Sequence, residues 1–227
     1  MVDIAELKAA NADRWASAKL TRNFVTVSKA LIAAKQVYLD VQRVTKVPWW
    51  FVAVIHERES SQNWMASLAQ GDPWNQVSTH EPVGRGPFQS WQAAAIDALV
   101  YCHPYAGKNR DWSTGGTLTL LEEYNGLGYA GKGLPSPYLW SGTDQYIKGK
   151  YIKDHVYDPN VIDVQMGCAG LLLTMMKLDN SIQIGTTVEA PPVTPIIYPH
   201  PVVRQIPVLP PALPKDTFAG WVKSWFT

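Results

Sequence analysis

A mainly α-helical domain followed by a proline-rich tail is the architecture this sequence predicts, and three observations predict it. Apolar residues recur three and four apart through most of the first 180 positions, and period-2 alternation is scarce. Nine of the 17 prolines fall between Pro191 and Pro214, in "PPVTPIIYPHPVVRQIPVLPPALP". With 46% hydrophobic residues the chain can bury a sizeable core, so residues 1–185 are expected to form one domain. Residues 186–216 then read as a semi-rigid extended linker.

The elements follow in order. Leu20, Phe24, Val27, Leu31 and Ala34 share one face, which predicts one long helix or two in succession over residues 3–44. Pro48 fits the first turn of a new helix reaching about residue 60, because its missing N–H costs nothing there. Residues 62–90 are rich in Gly, Pro, Asn, Asp and Ser and read as a long irregular excursion, which in a compact domain is usually functional. Further helices are expected over 91–101, 117–124, 144–151 and 160–178. Between them "YNGLGYAGKGLPSPYLWSG" is a loop loaded with Tyr124, Tyr129, Tyr138 and Trp140, which either pack it onto the core or line a saccharide groove. In "KDTFAGWVKSWFT", Phe218, Trp221, Val222, Trp225 and Phe226 form one apolar stripe behind caps Asp216 or Thr217. That predicts a short amphipathic helix over 217–227, docking on its own domain, a membrane surface or a protein partner.

Charge and cysteine content exclude several classes. A formal charge of +1 with no basic run leaves no footprint for nucleic acid. The opening "MVDIAELKAANADRW" has no apolar core of a signal peptide, so the expectation is a chain made in the cytoplasm. Cys102 and Cys168 lie outside any CxxC or Cys/His ligand spacing and read as buried thiols. A zinc peptidase fails on spacing, since "HERES" lacks a second histidine four residues after His56. Neither a metal nor a cofactor is expected, because protonation and water activation require none.

The chemistry concentrates in "VPWWFVAVIHERESSQNW". Glu59 lies four residues after Ile55 and seven after Val52, on an apolar stripe. Desolvation there should disfavour its charged form, as a general acid requires. Arg58 reads as part of a solvated helix end, a surface partner of Glu57 or Glu59. "GRGPFQSW" supplies glycines that let backbone approach a ligand, then the amide of Gln89. "LEEYNGLGY" ends a helix in Tyr124 and Asn125.

A helix ending Glu-Ser, a Gly-rich segment ending in Gln and a helix ending Tyr-Asn-Gly together resemble the soluble lytic transglycosylases and goose-type lysozymes. More closely, "IHERESS", "QGDPW", "YNGLGY", "SPYLWSGTDQYIKGKY" and "VQMGCAGLL" resemble lysozyme-like proteins of bacteria and their phages, over roughly residues 47–178. The resemblance implies a lysozyme-like helical fold and a muramidase that cleaves the β-1,4 bond between N-acetylmuramic acid and N-acetylglucosamine in peptidoglycan. It implies Glu59 as the acid, with Ser60, Gln89, Tyr124 and Asn125 at the substrate, joined by Tyr129 and Trp140 as platforms. "GRGPFQ" also resembles the cleft motif of family-19 chitinases, whose acid follows a histidine; that pattern nominates Glu57.

Hydrolysis with inversion needs a second carboxylate to activate water. Asp72 is the candidate, with Glu81 behind it and an Asp-Pro turn as the structural alternative. Without one, the sugar's own hydroxyl can attack and leave an anhydro end, as in a lytic transglycosylase. The expected partner is the glycan strand of the bacterial wall, reached as a phage or prophage endolysin released to the periplasm or as part of a phage particle. A wall-binding module without catalysis is the non-enzymatic alternative.

Overall fold

Asp3 caps the first helix by accepting the N–H groups of Ala5 and Glu6, and α1 runs over Ile4–Ser17. The computed structural model describes residues 2–69, 71–153 and 155–185; the expected linker 186–216 and terminal helix 217–227 lie outside them. The described part is mainly helical. Residues 3–44 hold three helices rather than one or two: α1, α2 (Val25–Ala33) and α3 (Lys35–Thr45). Tertiary pairing breaks the run, since Leu20 bridges Thr143 and the Thr21 N–H donates to Gly142 C=O at 2.9 Å. Phe24 and Leu31 are buried as their spacing predicts.

Lys46 in the left-handed region ends α3, and Pro48 stands at the N-cap of α4 (Trp49–Ser60), one position before its expected place. Every residue from Trp49 to His56 is buried, so α4 is a central helix, apolar all round. It packs against α2, α3 and a later helix, α8 (Cys168–Leu178). Residues 62–90 form the expected irregular excursion, and Ser90 then caps α5 (Trp91–Tyr101) on the Ala93 N–H.

Helix α6 (Thr114–Tyr124) starts earlier than its apolar pattern predicts, because its first turn is a docking surface for α1. A Cβ on Gly115 would lie 2.4 Å from the Lys8 carbonyl oxygen. Beyond α6 the predictions need correction. A short α7 (Pro137–Trp140) has too few residues to show a period. The helix expected over 144–151 does not form: residues 144–149 are turn and irregular, and from Lys150 an antiparallel hairpin follows, β1 (Lys150–Lys153) with β2 (Val156–Asp158), in which Tyr151 pairs with Tyr157. In place of a helix over 160–178 only α8 forms, because residues 160–167 are drawn into buried polar contacts described below. Cys102 and Cys168 are buried and not joined in a disulfide. Among the described residues no helix is long and apolar enough to cross a membrane.

Candidate active site

The chain leaves α4 abruptly. The Ser61 N–H donates to Glu57 C=O at 2.8 Å and the Gln62 N–H to His56 C=O at 3.1 Å, with Ser61 and Gln62 both at positive φ. This closing turn leaves Glu59 half-exposed at the end of a helix whose preceding stripe residues, Ile55 and Val52, are fully buried. The carboxyl has a defined partner: the Tyr138 hydroxyl donates to Glu59 Oε1 at 2.8 Å. Burial, and then the charge of Glu59, push the Tyr138 phenol well up, so it stays a donor. Tyr124 at the end of α6 is buried, and burial followed by the same carboxylate pushes its phenol up as well.

Beneath Tyr138 lies a buried polar network. The Arg58 guanidinium sits 5.0 Å from the centroid of the Tyr138 ring and pairs with Asp163. Far from being a solvated helix end, its side chain is 5% exposed and that of Asp163 0%. Asp163 also accepts from Lys150 Nζ at 3.0 Å. Burial alone would push the Asp163 carboxyl up, but Arg58 and Lys150 outweigh it and hold it below the ordinary value. The cation over the Tyr138 ring is thus paired with Asp163.

The excursion after α4 folds back on the helix end. An added Cβ on Gly71 would stand 3.8 Å from the Glu59 carbonyl oxygen, which places the following residue, Asp72, beside the acid's own turn. Asp72 is not a bare carboxylate. Oδ2 accepts the N–H groups of Thr79 at 2.7 Å and His80 at 3.0 Å, and Oδ1 lies 2.6 Å from His80 Nδ1. It ties together two parts of the excursion, seven and eight residues apart, rather than closing a local Asp-Pro turn. Glu81 is exposed on the same excursion. Gly86 also serves the loop rather than a ligand: at φ 84°, a Cβ there would meet Gln76 C=O at 2.8 Å. Arg85 pairs with Asp97 on α5 and anchors the segment.

The remaining expected residues are scattered in role. Gln89 is exposed immediately before the Ser90 cap, and Asn125 caps the C-terminus of α6. Ser60 donates to His56 C=O at 3.0 Å, back along its own helix. Tyr129 and Trp140 need correction as saccharide platforms. The Trp140 ring is fully buried, and Tyr129 is buried with its phenol oxygen accepting the Tyr151 N–H at 3.0 Å and its ring edge-on to Tyr151 and Tyr157. His56 is buried against Tyr38, Trp64 and Trp91, and burial pushes its imidazole down to about 3.

Glu57 points elsewhere. It lines a shallow depression of about 200 Å³ with Val27, Arg58, Ser61, Gln165 and Met166, and burial pushes its carboxyl up against the pull of Arg58. The residue that sequence reasoning missed at Glu59 is Tyr138, for which the only signal was its place in an aromatic-rich loop. Among the described residues no three His, Cys, Asp or Glu side chains form a set that could hold a metal ion. Comparison with models of known protein families, with curated proteins and with solved structures returns no match for this chain.

Proposed function

We propose that residues 1–185 form a lysozyme-like domain that cleaves the β-1,4 bond between N-acetylmuramic acid and N-acetylglucosamine, with Glu59 as general acid. The observation that supports this reading most is the hydrogen bond from Tyr138 to Glu59 at the one open end of an otherwise buried helix. Glycoside cleavage asks for a carboxyl held in place while it protonates the departing oxygen and positive charge builds on the sugar ring. Tyr138 supplies the holding. Burial and the charge of Glu59 keep the Tyr124 and Tyr138 phenols protonated, and Arg58 pairs with Asp163. The setting that fits such chemistry is an endolysin of a phage or prophage, acting on the wall after release. A chitin strand carries the same linkage and is the substrate to compare.

Glu57 is the alternative acid, on the strength of its raised carboxyl in the neighbouring depression. Mass spectrometry of fragments from purified sacculi, for the wild type and for Glu59→Gln and Glu57→Gln, tests the proposal. Loss of fragment release in Glu59→Gln alone, with an unchanged circular dichroism spectrum, is the expected result. Loss in Glu57→Gln alone moves the acid. Reducing muramic ends mark a hydrolase and anhydro ends a transglycosylase. A wild type that binds sacculi and releases nothing is a wall-binding module.

A further inference from the structure

We propose that His80 is the base that activates the attacking water, oriented by Asp72, so that the second catalytic group is an imidazole rather than a carboxylate. The inference rests on Glu59 being the acid and adds its counterpart. It starts from how Asp72 is used. Two backbone N–H groups and one ring nitrogen converge on its two oxygens. Burial alone would push this carboxyl up, but the hydrogen bonds from His80 and Thr79 outweigh it and leave Asp72 below the ordinary value. A carboxylate stabilised in this way is a poor proton acceptor.

What Asp72 does instead is set the tautomer of His80. An ionised carboxylate only accepts, so the nitrogen 2.6 Å away, Nδ1, must carry the proton. In the neutral ring the lone pair then resides on Nε2, on the far side from Asp72. The His80 side chain is 60% exposed, so Nε2 is open to water. Imidazole is the side chain most often used to take a proton in general-base catalysis.

The loop that carries His80 starts beside the helix end that carries Glu59. Gly71 abuts the Glu59 carbonyl, Asp72 is the next residue, and the His80 ring is hydrogen-bonded to Asp72. The loop that carries the ring is held at several points. The Ser67 N–H donates to Asp72 C=O at 2.8 Å, the Ser78 N–H to Arg85 C=O at 2.8 Å, and Arg85 is tied to α5 through Asp97. A rigid loop at the acid's own helix end is a suitable support for a base facing the opposite side of a sugar ring.

The proton balance closes without a further reactant. Glu59 gives its proton to the glycosidic oxygen as the C1–O bond breaks. Water attacks C1 from the other face, its oxygen forms the new bond, and its proton passes to Nε2 of His80. The products are two sugar hydroxyls with inverted configuration at C1, and solvent returns the proton from His80 to Glu59.

The test compares wild type, Glu59→Gln, His80→Ala and Asp72→Asn on purified sacculi, with and without sodium azide, reading fragment ends by mass spectrometry. Azide is an anionic nucleophile that needs no base. The expected result is a fall in reducing-end release of about 10²–10⁴-fold in His80→Ala, repaired by azide with glycosyl azide ends. Asp72→Asn is expected to fall less, because the ring remains. His80→Ala releasing reducing ends at the wild-type rate overturns the base and leaves the acid standing if Glu59→Gln is inert. A loss that azide does not repair, or a wild type that leaves only anhydro ends, also overturns it. A wild type that cleaves nothing overturns acid and base together.

Discussion

The Tyr138 hydroxyl reaches Glu59 Oε1 at 2.8 Å across 79 residues of sequence, joining α7 to the last turn of α4. A hydrogen bond to a charged group contributes about 1.5–3 kcal/mol. If that energy orients the acid in the transition state, Tyr138→Phe should lower kcat for fragment release by roughly 10- to 100-fold with KM little changed. The phenylalanine ring still packs over Arg58, so the thermal midpoint should move by only a few degrees. A fall in kcat matched by a collapse of the midpoint would assign Tyr138 to the fold instead.

Arg58 and Asp163 form a buried pair, and breaking it should cost more than removing it. Arg58→Met leaves Asp163, with 0% side-chain exposure, with Lys150 as its salt-bridge partner and the Gln165 N–H as a donor, an expected loss of about 3–5 kcal/mol in denaturant unfolding at neutral pH. Arg58→Met combined with Asp163→Leu should recover much of that. The pH dependence follows from the sign of the Asp163 shift. Its folded value is depressed, so the stabilisation is complete above the unfolded value, about 3.9, and disappears as pH falls through the folded one. The cost of Arg58→Met should therefore shrink in strong acid, and a cost unchanged by acid would contradict the assignment.

The legible and illegible parts of this chain divide by the range of the contacts that decide them. The extent of α4 and α5 follows from local signals, an apolar run behind Pro48 and a serine cap at Ser90, and both helices end within a residue or so of their predicted limits. Glu59 stands out for the same reason, since its stripe is a property of one helix. The start of α8 does not, because residues 160–167 are held out of helix, with Asp163 reaching Arg58 across 105 positions. The hairpin is too short to show alternation and is stabilised by Tyr129 packing on Tyr151 and Tyr157. Tyr138 and Trp140 share one loop motif, yet one meets the acid and the other fills the core. No periodicity distinguishes them.

Gly167 marks where segment 160–167 crosses α7. A Cβ there would lie 2.3 Å from Leu139 C=O and 2.7 Å from the Ser141 nitrogen, both backbone atoms that cannot rotate away. Gly167→Ala should destabilise by about 1–3 kcal/mol or more. It should also reduce fragment release, because the displaced element carries Tyr138. Gly133→Ala is the contrast: φ is 67° but nothing lies within 4 Å, so only the left-handed backbone cost of about 1–2 kcal/mol applies. Activity at a temperature where both variants are folded should separate them.

Glu122 carries a cost that rises with pH. It is 1% exposed, Asn11 Nδ2 donates to its Oε2 at 3.1 Å, and its Oε1 has no hydrogen-bond partner among the described residues. Burial pushes the carboxyl up to about 7, against the pull of the Asn11 amide and Arg14. A carboxyl raised in the folded state binds its proton more tightly there than in the unfolded chain, so stability falls as pH rises from about 4.5 to about 7 and is level above that. Converted at 1.36 kcal/mol per pH unit, the neutral-pH cost is roughly 3 kcal/mol. Glu122→Gln keeps an oxygen for Asn11 and removes the charge. It should match the wild type near pH 4 and exceed it by up to that amount at pH 8, in urea unfolding followed by tryptophan fluorescence. Equal stabilities at pH 8 would mean that the carboxylate already has a compensating partner. Since Tyr124 lies half a turn further along α6 and is coupled to Glu59, the same variant also reports whether loosening this helix at high pH reaches the acid.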